Sequence, residues 1–329
     1  MPGSPHRLAI EYAHADPGSL LAGDDVLAVL GFGAGAATAD DPRYLRVGLE
    51  PHGSAPLEVW RTTGPVRHGR DGDVRWAEGG GLQFGAIELD ETAAGGLEAA
   101  AADAYRRVLG FVAAHGHSHL LRVWNYLDAI TEGEDDAERY RRFCVGRAAG
   151  LGEFDTASLP AATAIGRYDG ERTLQVYWLA ATHRGTPLEN PRQLSAYRYP
   201  RRYGPQPPSF ARAMLPPAGS DMPLLLSGTA AIVGHESRHA DSLETQLDET
   251  LANFTALIDT ARTHRPSLPR RFGAGARLKV YVRDAEALPQ AAALLRERLG
   301  DRVPYLLLHA AVCRRELRIE IDGVHDAAG

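Results

Sequence analysis

An internal repetition of element order constrains the fold of this chain more than any other feature. The helix-forming run Leu97-Glu-Ala-Ala-Ala-Ala-Asp-Ala-Tyr-Arg-Arg-Val-Leu109 leads through a histidine-dotted turn into the strand-like Leu120-Leu-Arg-Val-Trp-Asn-Tyr-Leu127. A charged helix is expected over about 137–148, then two strands, 161–166 and 173–180, separated by the turn Tyr168-Asp-Gly170. The order then returns. Leu224-Leu-Leu-Ser-Gly-Thr229 reads as a strand, and Leu243, Leu247, Leu251, Phe254 and Ile258 recur at the spacing of a long amphipathic helix. Asp241 is the expected cap of that helix, with Glu244 reaching back. A strand over 277–282, a helix over 288–299 and strands over 305–312 and 317–321 complete the second pass. Side by side, VWNYLDAI aligns with VYVRDAEAL, TAIGR with the strand before Cys313, and TLQVYWLA with ELRIEIDG. A period of roughly 110 residues calls for copies packed together rather than for independent domains. The part ending at Gly95-Gly96 reads as short strands between Gly-, Pro- and Asp-rich turns, and could be a third, worn copy. The expected class is α/β in the mixed α+β sense, with domains at 1–96, 97–215 and 216–329. The central one includes the connector LSAYRYPRRYGPQPPSFARAMLPP, too rich in Pro, Tyr and Arg for a core element.

Composition narrows the function classes. With 44% hydrophobic and 24% charged residues the chain can bury sizeable cores, and a formal charge of −6 argues against nucleic acid as a partner. No stretch approaches the ~18 uninterrupted apolar residues of a membrane span, and no membrane partner is expected. Two cysteines, Cys144 and Cys313, cannot form a disulfide framework. MPGSPHRLAIEYAHADPG has prolines and acids where a signal peptide has a basic start and an apolar run, so the cytoplasm is the expected compartment.

One motif points elsewhere. His235-Glu-Ser-Arg-His239 matches the HExxH pattern, in which two histidines on one helix face bind zinc and the glutamate activates water. Here the better helix start follows the motif, no extended metalloprotease signature is present, and the histidines are expected in a loop, where His235 could line a site without holding metal. His115-Gly-His117-Ser-His119 could bind a metal, but such a run is more often a solvated connection. Gly31-Phe-Gly33-Ala-Gly35 lacks the GxGxxG spacing and opens no clear helix. Neither metal nor other cofactor is expected, and EDTA should leave any activity intact.

The segments HLLRVWNYLDAI, ERYRRFCVGR, LSAYRYPRRYGPQPPSFARA, LLLSGTAAIVGHESRH and CRRELRIEID together resemble the chorismatase family, over about residues 105–323. The Tyr/Arg-rich connector and the SGTA segment carry most of that likeness, since a generic α/β domain needs neither. The resemblance implies a monomer of three RidA-like (YjgF-like) domains around a pseudo-threefold axis. It puts the active site between the central and C-terminal domains and makes chorismate the substrate, converted to pyruvate and a hydroxybenzoate.

A dianionic enol ether needs cationic forks for its carboxylates and an acid to protonate its vinyl carbon. Tyr140 and Arg147, seven apart, would share a helix face, and the connector offers Tyr197, Tyr199, Tyr203 and Arg212. By resemblance Arg147, Tyr203 and Arg212 bind substrate, as do Thr163, Gly228 and Thr229, and Glu320 is the acid. Leu317, Ile319 and Ile321 claim one face of the last strand. Glu316, Arg318, Glu320 and Asp322 are left on the other, which is therefore expected not to be core. Cys313 belongs to a position that in this family marks producers of 3-hydroxybenzoate. That product is favoured, with 4-hydroxybenzoate as a co-product, and simple hydrolysis to a dihydroxycyclohexadiene carboxylate is the alternative. A RidA-type imine deaminase would share the fold, but Pro160-Ala161 is followed by Ala162 and Thr163 where that activity needs an arginine. A non-catalytic small-molecule sensor is the third reading.

Overall fold

The computed structural model describes residues 6–153 and 155–327. The first five residues, part of the segment read above for a signal peptide, lie outside the described range. Three mixed sheets follow one another along the chain. The first is built from β1 (Ala9–Ala13), β2 (Val26–Phe32), β3 (Tyr44–Val47) and β5 (Leu57–Arg61), with β4 (Glu50–Pro51) branching off between the last two and the single-turn helix α1 (Pro17–Leu21) after β1. The second contains β6 (Arg67–Asp71), β7 (Val74–Gly79), β8 (Leu82–Asp90), β9 (His119–Asp128), β10 (Ala161–Arg167) and β11 (Thr173–Ala181). Its helices are the short α2 (Glu91–Ala94), α3 (Leu97–Ala114) and α4 (Arg139–Leu151). The third contains β12 (Thr186–Leu188), β13 (Ala213–Leu215), β14 (Leu224–Ala230), β17 (Arg277–Val282), β18 (Tyr305–His309) and β19 (Ile319–His325). A two-stranded hairpin, β15 (Ile232–Val233) and β16 (Glu236–Ser237), follows β14, and the helices are α5 (Leu243–His264) and α6 (Leu288–Leu299).

Read from the parallel pair outward, the second and third sheets have the same order, β10-β9-β11-β8-β7-β6 and β18-β17-β19-β14-β13-β12. In both, the first pair is parallel and the rest antiparallel. The first sheet, β3-β2-β5-β1, repeats the first four strands of that order, and its long helices are missing. It is the worn third copy. One core joins all three: Leu27, Leu30 and Trp60 meet Trp124, Tyr126 and Tyr177 and Tyr281, Leu306 and Leu308. The long helices cover the outer faces of the second and third sheets, where α3 and α5 bury alanine- and leucine-rich stripes in separate clusters.

Four expectations are corrected. The boundary at residue 96 falls inside the second sheet, since β8 pairs along its length with β11; the central unit begins near β6. The connector, assigned to the central domain, ends in β13, which joins the C-terminal sheet. Strand pairing across a hundred residues leaves no local sign at either boundary. Helix α5 is capped by Ser242 rather than Asp241: its side chain accepts the Thr245 N–H at 3.2 Å, while Glu244 reaches Arg298 at 2.7 Å. Leu251, placed on the buried stripe, is only partly buried.

Neighbouring copies also cover each other's open edges. β4 pairs with β18, and β10 meets the third copy through two reciprocal backbone bonds of 2.8 Å between Gly166 and Ala311.

Candidate active site

The seam between β10 and β14 opens into a cleft of about 290 Å³. Its shape begins with a break in β14: pairing with β19 slips between Leu226 and Thr229, so Ser227 and Gly228 turn away from their own sheet toward β10. There Ser227 Oγ accepts the Ala162 N–H at 3.0 Å and donates to the Ala211 carbonyl at 2.6 Å. Gly228 N donates to Thr163 Oγ1 at 3.0 Å. The opening left behind is where Glu320 of β19 enters. A Cβ on Gly228 would fall 2.0 Å from Glu320 Oε1, so only glycine leaves room for that carboxyl.

The opposite wall is α4, held unusually close to α3. Cβ atoms on Gly146 and Gly150 would lie 2.0 Å from the Glu98 carbonyl oxygen and 2.6 Å from that of Ala102. With this small-residue face against α3, Tyr140, Phe143, Cys144 and Arg147 line the cleft, and the expected pairing of Tyr140 with Arg147 on one face is what the helix presents. Arg147 is 4% exposed, lies over the Tyr105 ring at 4.9 Å, and has no hydrogen-bond partner for Nε or Nη2. The roof is the connector, whose Tyr199, Tyr203, Phe210 and Arg212 face inward. Arg212 is buried, donates to Tyr199 OH at 2.8 Å and to the Leu194 carbonyl at 3.0 Å, and keeps Nε unpaired. Arg314 stacks over Tyr203 at 4.1 Å.

Glu320 is 5% exposed on the cleft floor, and no described neighbour hydrogen-bonds its carboxyl. Burial, reinforced by the charge of Asp322, pushes it up to about 8 against the pull of Arg122, Arg212 and Arg314. Cys313 and Cys144 both line the cleft. Burial pushes the Cys144 thiol up to about 12; burial and then the proximity of Glu320 push Cys313 up as well. Both are thiols rather than thiolate nucleophiles at neutral pH.

Of the residues anticipated from sequence, Tyr140, Arg147, Thr163, Tyr203, Arg212, Gly228, Cys313 and Glu320 are brought together here. Two are not. Tyr197 lies beside Arg198, outside the lining, and its near neighbour Tyr199 faces inward instead. Thr229 is buried beneath the surface, its hydroxyl spent on the Ser227 carbonyl at 3.1 Å. Thr163 lines the cleft, but its hydroxyl is committed: it accepts from Arg122 Nη2 at 2.5 Å and from Gly228 N, and donates to Asp322 Oδ2 at 2.7 Å. The polar face of the last strand, expected not to be core, is nonetheless closed from water; Glu320 and Asp322 are both buried between copies. Asn125, Glu138, Arg202 and Arg314 also line the cleft and were not anticipated. Only the alternation around Asn125 in VWNYLD hinted at an inward polar position.

His235-Glu-Ser-Arg-His239 forms the β15–β16 hairpin and its exit, with no helix to align the two imidazoles. His239 pairs with Glu249 at 3.2 Å, while His235 stands behind the cleft wall, 3.2 Å from Tyr203 OH and 3.0 Å from Arg202 Nη2. The Gln246 side chain on α5 accepts the Arg318 N–H and donates to the carbonyls of Arg238 and Glu316, fixing this hairpin against the loop that carries Cys313. His115 stacks on Phe111 at 3.9 Å, while His117 turns to Glu78 at 3.6 Å. Among the described residues no group of three or more His, Cys, Asp or Glu is arranged to hold a metal ion, and no helix is long and apolar enough to cross a membrane.

Fold and cleft together define an α+β protein of three fused copies with an arginine- and tyrosine-lined cleft between two of them. Comparison with known proteins agrees. Residues 58–180 match the family model described as chorismatase FkbO/Hyg5-like, N-terminal. The chain is 37% identical to a chorismatase of Streptomyces rapamycinicus, over 81% of each protein. It is 35% identical to a 3-hydroxybenzoate synthase of Streptomyces hygroscopicus, over 81% of this chain and 80% of that one. A chorismatase crystal structure superposes with a TM-score of 0.80 at 31% identity, covering 97% of this chain and 98% of the other. The chain belongs to the chorismatase family.

Proposed function

We propose that this protein converts chorismate to pyruvate and a hydroxybenzoate, chiefly 3-hydroxybenzoate, in the cleft between its central and C-terminal copies. The observation that carries the reading is the Glu320 carboxyl: buried, pushed up to about 8, and facing a cleft lined by two buried arginines with unpaired N–H groups. Protonating an enol-ether carbon at neutral pH needs an acid that still holds its proton there, and desolvation supplies one. Arg147 and Arg212 take the two carboxylates, since guanidinium forks pair with them and cannot lose their charge. Tyr140, Tyr199 and Tyr203 bracket the ring.

In the proposed sequence the Glu320 proton goes to the terminal methylene, which becomes the methyl of pyruvate, and the adjacent carbon becomes an oxocarbenium ion. Water adds there, and collapse of the hemiketal releases pyruvate and leaves a dihydroxycyclohexadiene carboxylate. Loss of one water then gives the aromatic hydroxybenzoate, so the water consumed is returned. Cys313, a neutral thiol on the cleft wall, acts in this scheme on the second stage. The 3-hydroxybenzoate synthase among the relatives supports that product.

The test is pyruvate release from chorismate. Glu320→Gln should lose about 10²–10⁴-fold in kcat with the fold intact; near-native turnover would remove Glu320 from the role of acid. Chromatography of products from Cys313→Ala beside wild type reads the second stage, and an unchanged mixture of 3- and 4-hydroxybenzoate and dihydrodiol would exclude the thiol from it.

A further inference from the structure

Beneath the cleft floor, where the three copies meet, lies a buried ionic cluster that contributes no atom to the cleft. Lys279 of β17, 2% exposed, has Nζ 3.0 Å from Glu58 Oε2 of β5 and 3.6 Å from Asp322 Oδ1 of β19. Glu58 is fixed in turn by the Trp60 indole N–H at 2.8 Å. Asp322, fully buried, accepts at Oδ2 from Thr163, Tyr281 and Trp124 at 2.7, 2.9 and 3.1 Å, with Arg122 Nη2 at 3.2 Å. Its other oxygen has no hydrogen bond and faces only the lysine. Two cations and two carboxylates from three copies thus balance in one place. Nothing in the proposed chemistry uses Glu58 or Lys279, and every residue lining the cleft is numbered 125 or higher, so the first copy supplies none.

Asp322 and Glu320 project from the same face of β19, two residues apart. We propose that Glu58 and Lys279 are positioning residues for the reaction: by dividing the lysine charge between Glu58 and Asp322, the first copy sets how much uncompensated negative charge Glu320 meets, and so the pH up to which Glu320 keeps its proton. The inference rests on the reading of Glu320 as the acid. Other groups act on that carboxyl from each side: Arg122 on β9, Arg212 from the connector, Arg314 and Cys313 from the loop before β19, and Tyr140 on α4. None of them is altered by changing Glu58 or Lys279. Removing the Glu58 charge leaves the lysine wholly to Asp322 and makes the surroundings of Glu320 more positive. Removing the lysine makes them more negative.

The activity of an enzyme that needs a protonated acid falls on the alkaline side, so the basic limb of the kcat/KM–pH profile reports this balance. Glu58→Gln should move that limb down by about one pH unit and Lys279→Met should move it up by a similar amount. The double variant, which restores neutrality, should return it to within about 0.3 pH unit of wild type. A cluster with only a structural role would lower turnover in all three variants without shifts of opposite sign. If a single variant folds poorly, the double variant and the opposite single still give the sign. Titration of carbon-13-labelled glutamate side chains by NMR, with the Glu320 signal identified by its loss in Glu320→Gln, separates the two claims. Full turnover by Glu320→Gln overturns the acid assignment; a Glu320 signal that titrates near 8 and stays put in both single variants overturns the clamp alone.

Discussion

Glu320 and Asp322 stand on one face of one strand, and both are almost completely buried. What separates them is company. Around Asp322 gather a hydroxyl from each of two copies, an indole N–H, an arginine and a lysine, a set of donors suited to an ionised carboxylate. Around Glu320 the adjoining Gly228 leaves room but offers no bond, the sulfur of Cys313 adds nothing polar enough to hold a charge, and the arginines that pull on it, Arg122 beneath the floor and Arg212 and Arg314 in the cleft lining, make no hydrogen bond to it. Burial therefore acts oppositely on the two: it strengthens the pairs made by Asp322 and raises the pKa of Glu320. A buried acid becomes a proton donor by being denied partners, and the partners needed for stability are provided two residues further on.

That contrast can be broken most forcefully at Asp322. Asp322→Ala leaves Arg122 and Lys279 buried with a carboxylate too few, and should lower unfolding free energy by about 3–5 kcal/mol in chemical denaturation. A loss below about 1 kcal/mol would mean the cluster is solvated and the contrast mistaken. Next is Gly228→Ala, which pushes a methyl group into the space of the Glu320 carboxyl; kcat/KM should fall about a hundredfold, with a much smaller change in melting temperature. The third prediction concerns pH. The folded-state pKa of Glu320 lies above its unfolded value, so the folded protein binds this proton more tightly, and stability is lost as pH rises from about 4.5 through about 8. Glu320→Gln removes that loss, and should exceed wild type in stability by about 3–4 kcal/mol more at pH 8 than at pH 5. Equal differences at the two pH values would show that the carboxyl titrates normally. The smallest effect separates two neighbouring tyrosines: Tyr199→Phe, which takes the hydroxyl from Arg212, should raise KM about threefold, and Tyr197→Phe should leave it unchanged.

The parts of this arrangement that were legible in sequence are those carried by local pattern. Helical and strand periodicity gave the element order of the second and third copies, and seven-residue spacing put Tyr140 with Arg147. Resemblance singled out Glu320 and Arg212. The charge cluster was not legible, because its members are distant in the chain: Glu58 and Lys279 are 221 residues apart. Alternation in RIEID correctly separated Ile319 and Ile321 from Glu320 and Asp322, but a polar face buried between copies has the same alternation as one facing water. Strands β6 to β8 were assigned to the wrong copy for a related reason, since the pairing of β8 with β11 skips over α3, β9, α4 and β10. Tyr197 and Tyr199 could not be told apart, because a connector of short turns has no period from which to read a facing.

The pairing of β4 with β18, and of Gly166 with Ala311, has a consequence outside catalysis. A sheet that ends in a free strand is a template on which another molecule can add, and it is a common starting point for aggregation. Here the first copy covers an edge of the third, and the third covers an edge of the second, from within the same chain. Fragments cut between copies would therefore be expected to clump even where each keeps its own hydrophobic core, and the tandem arrangement protects solubility as well as building a cleft.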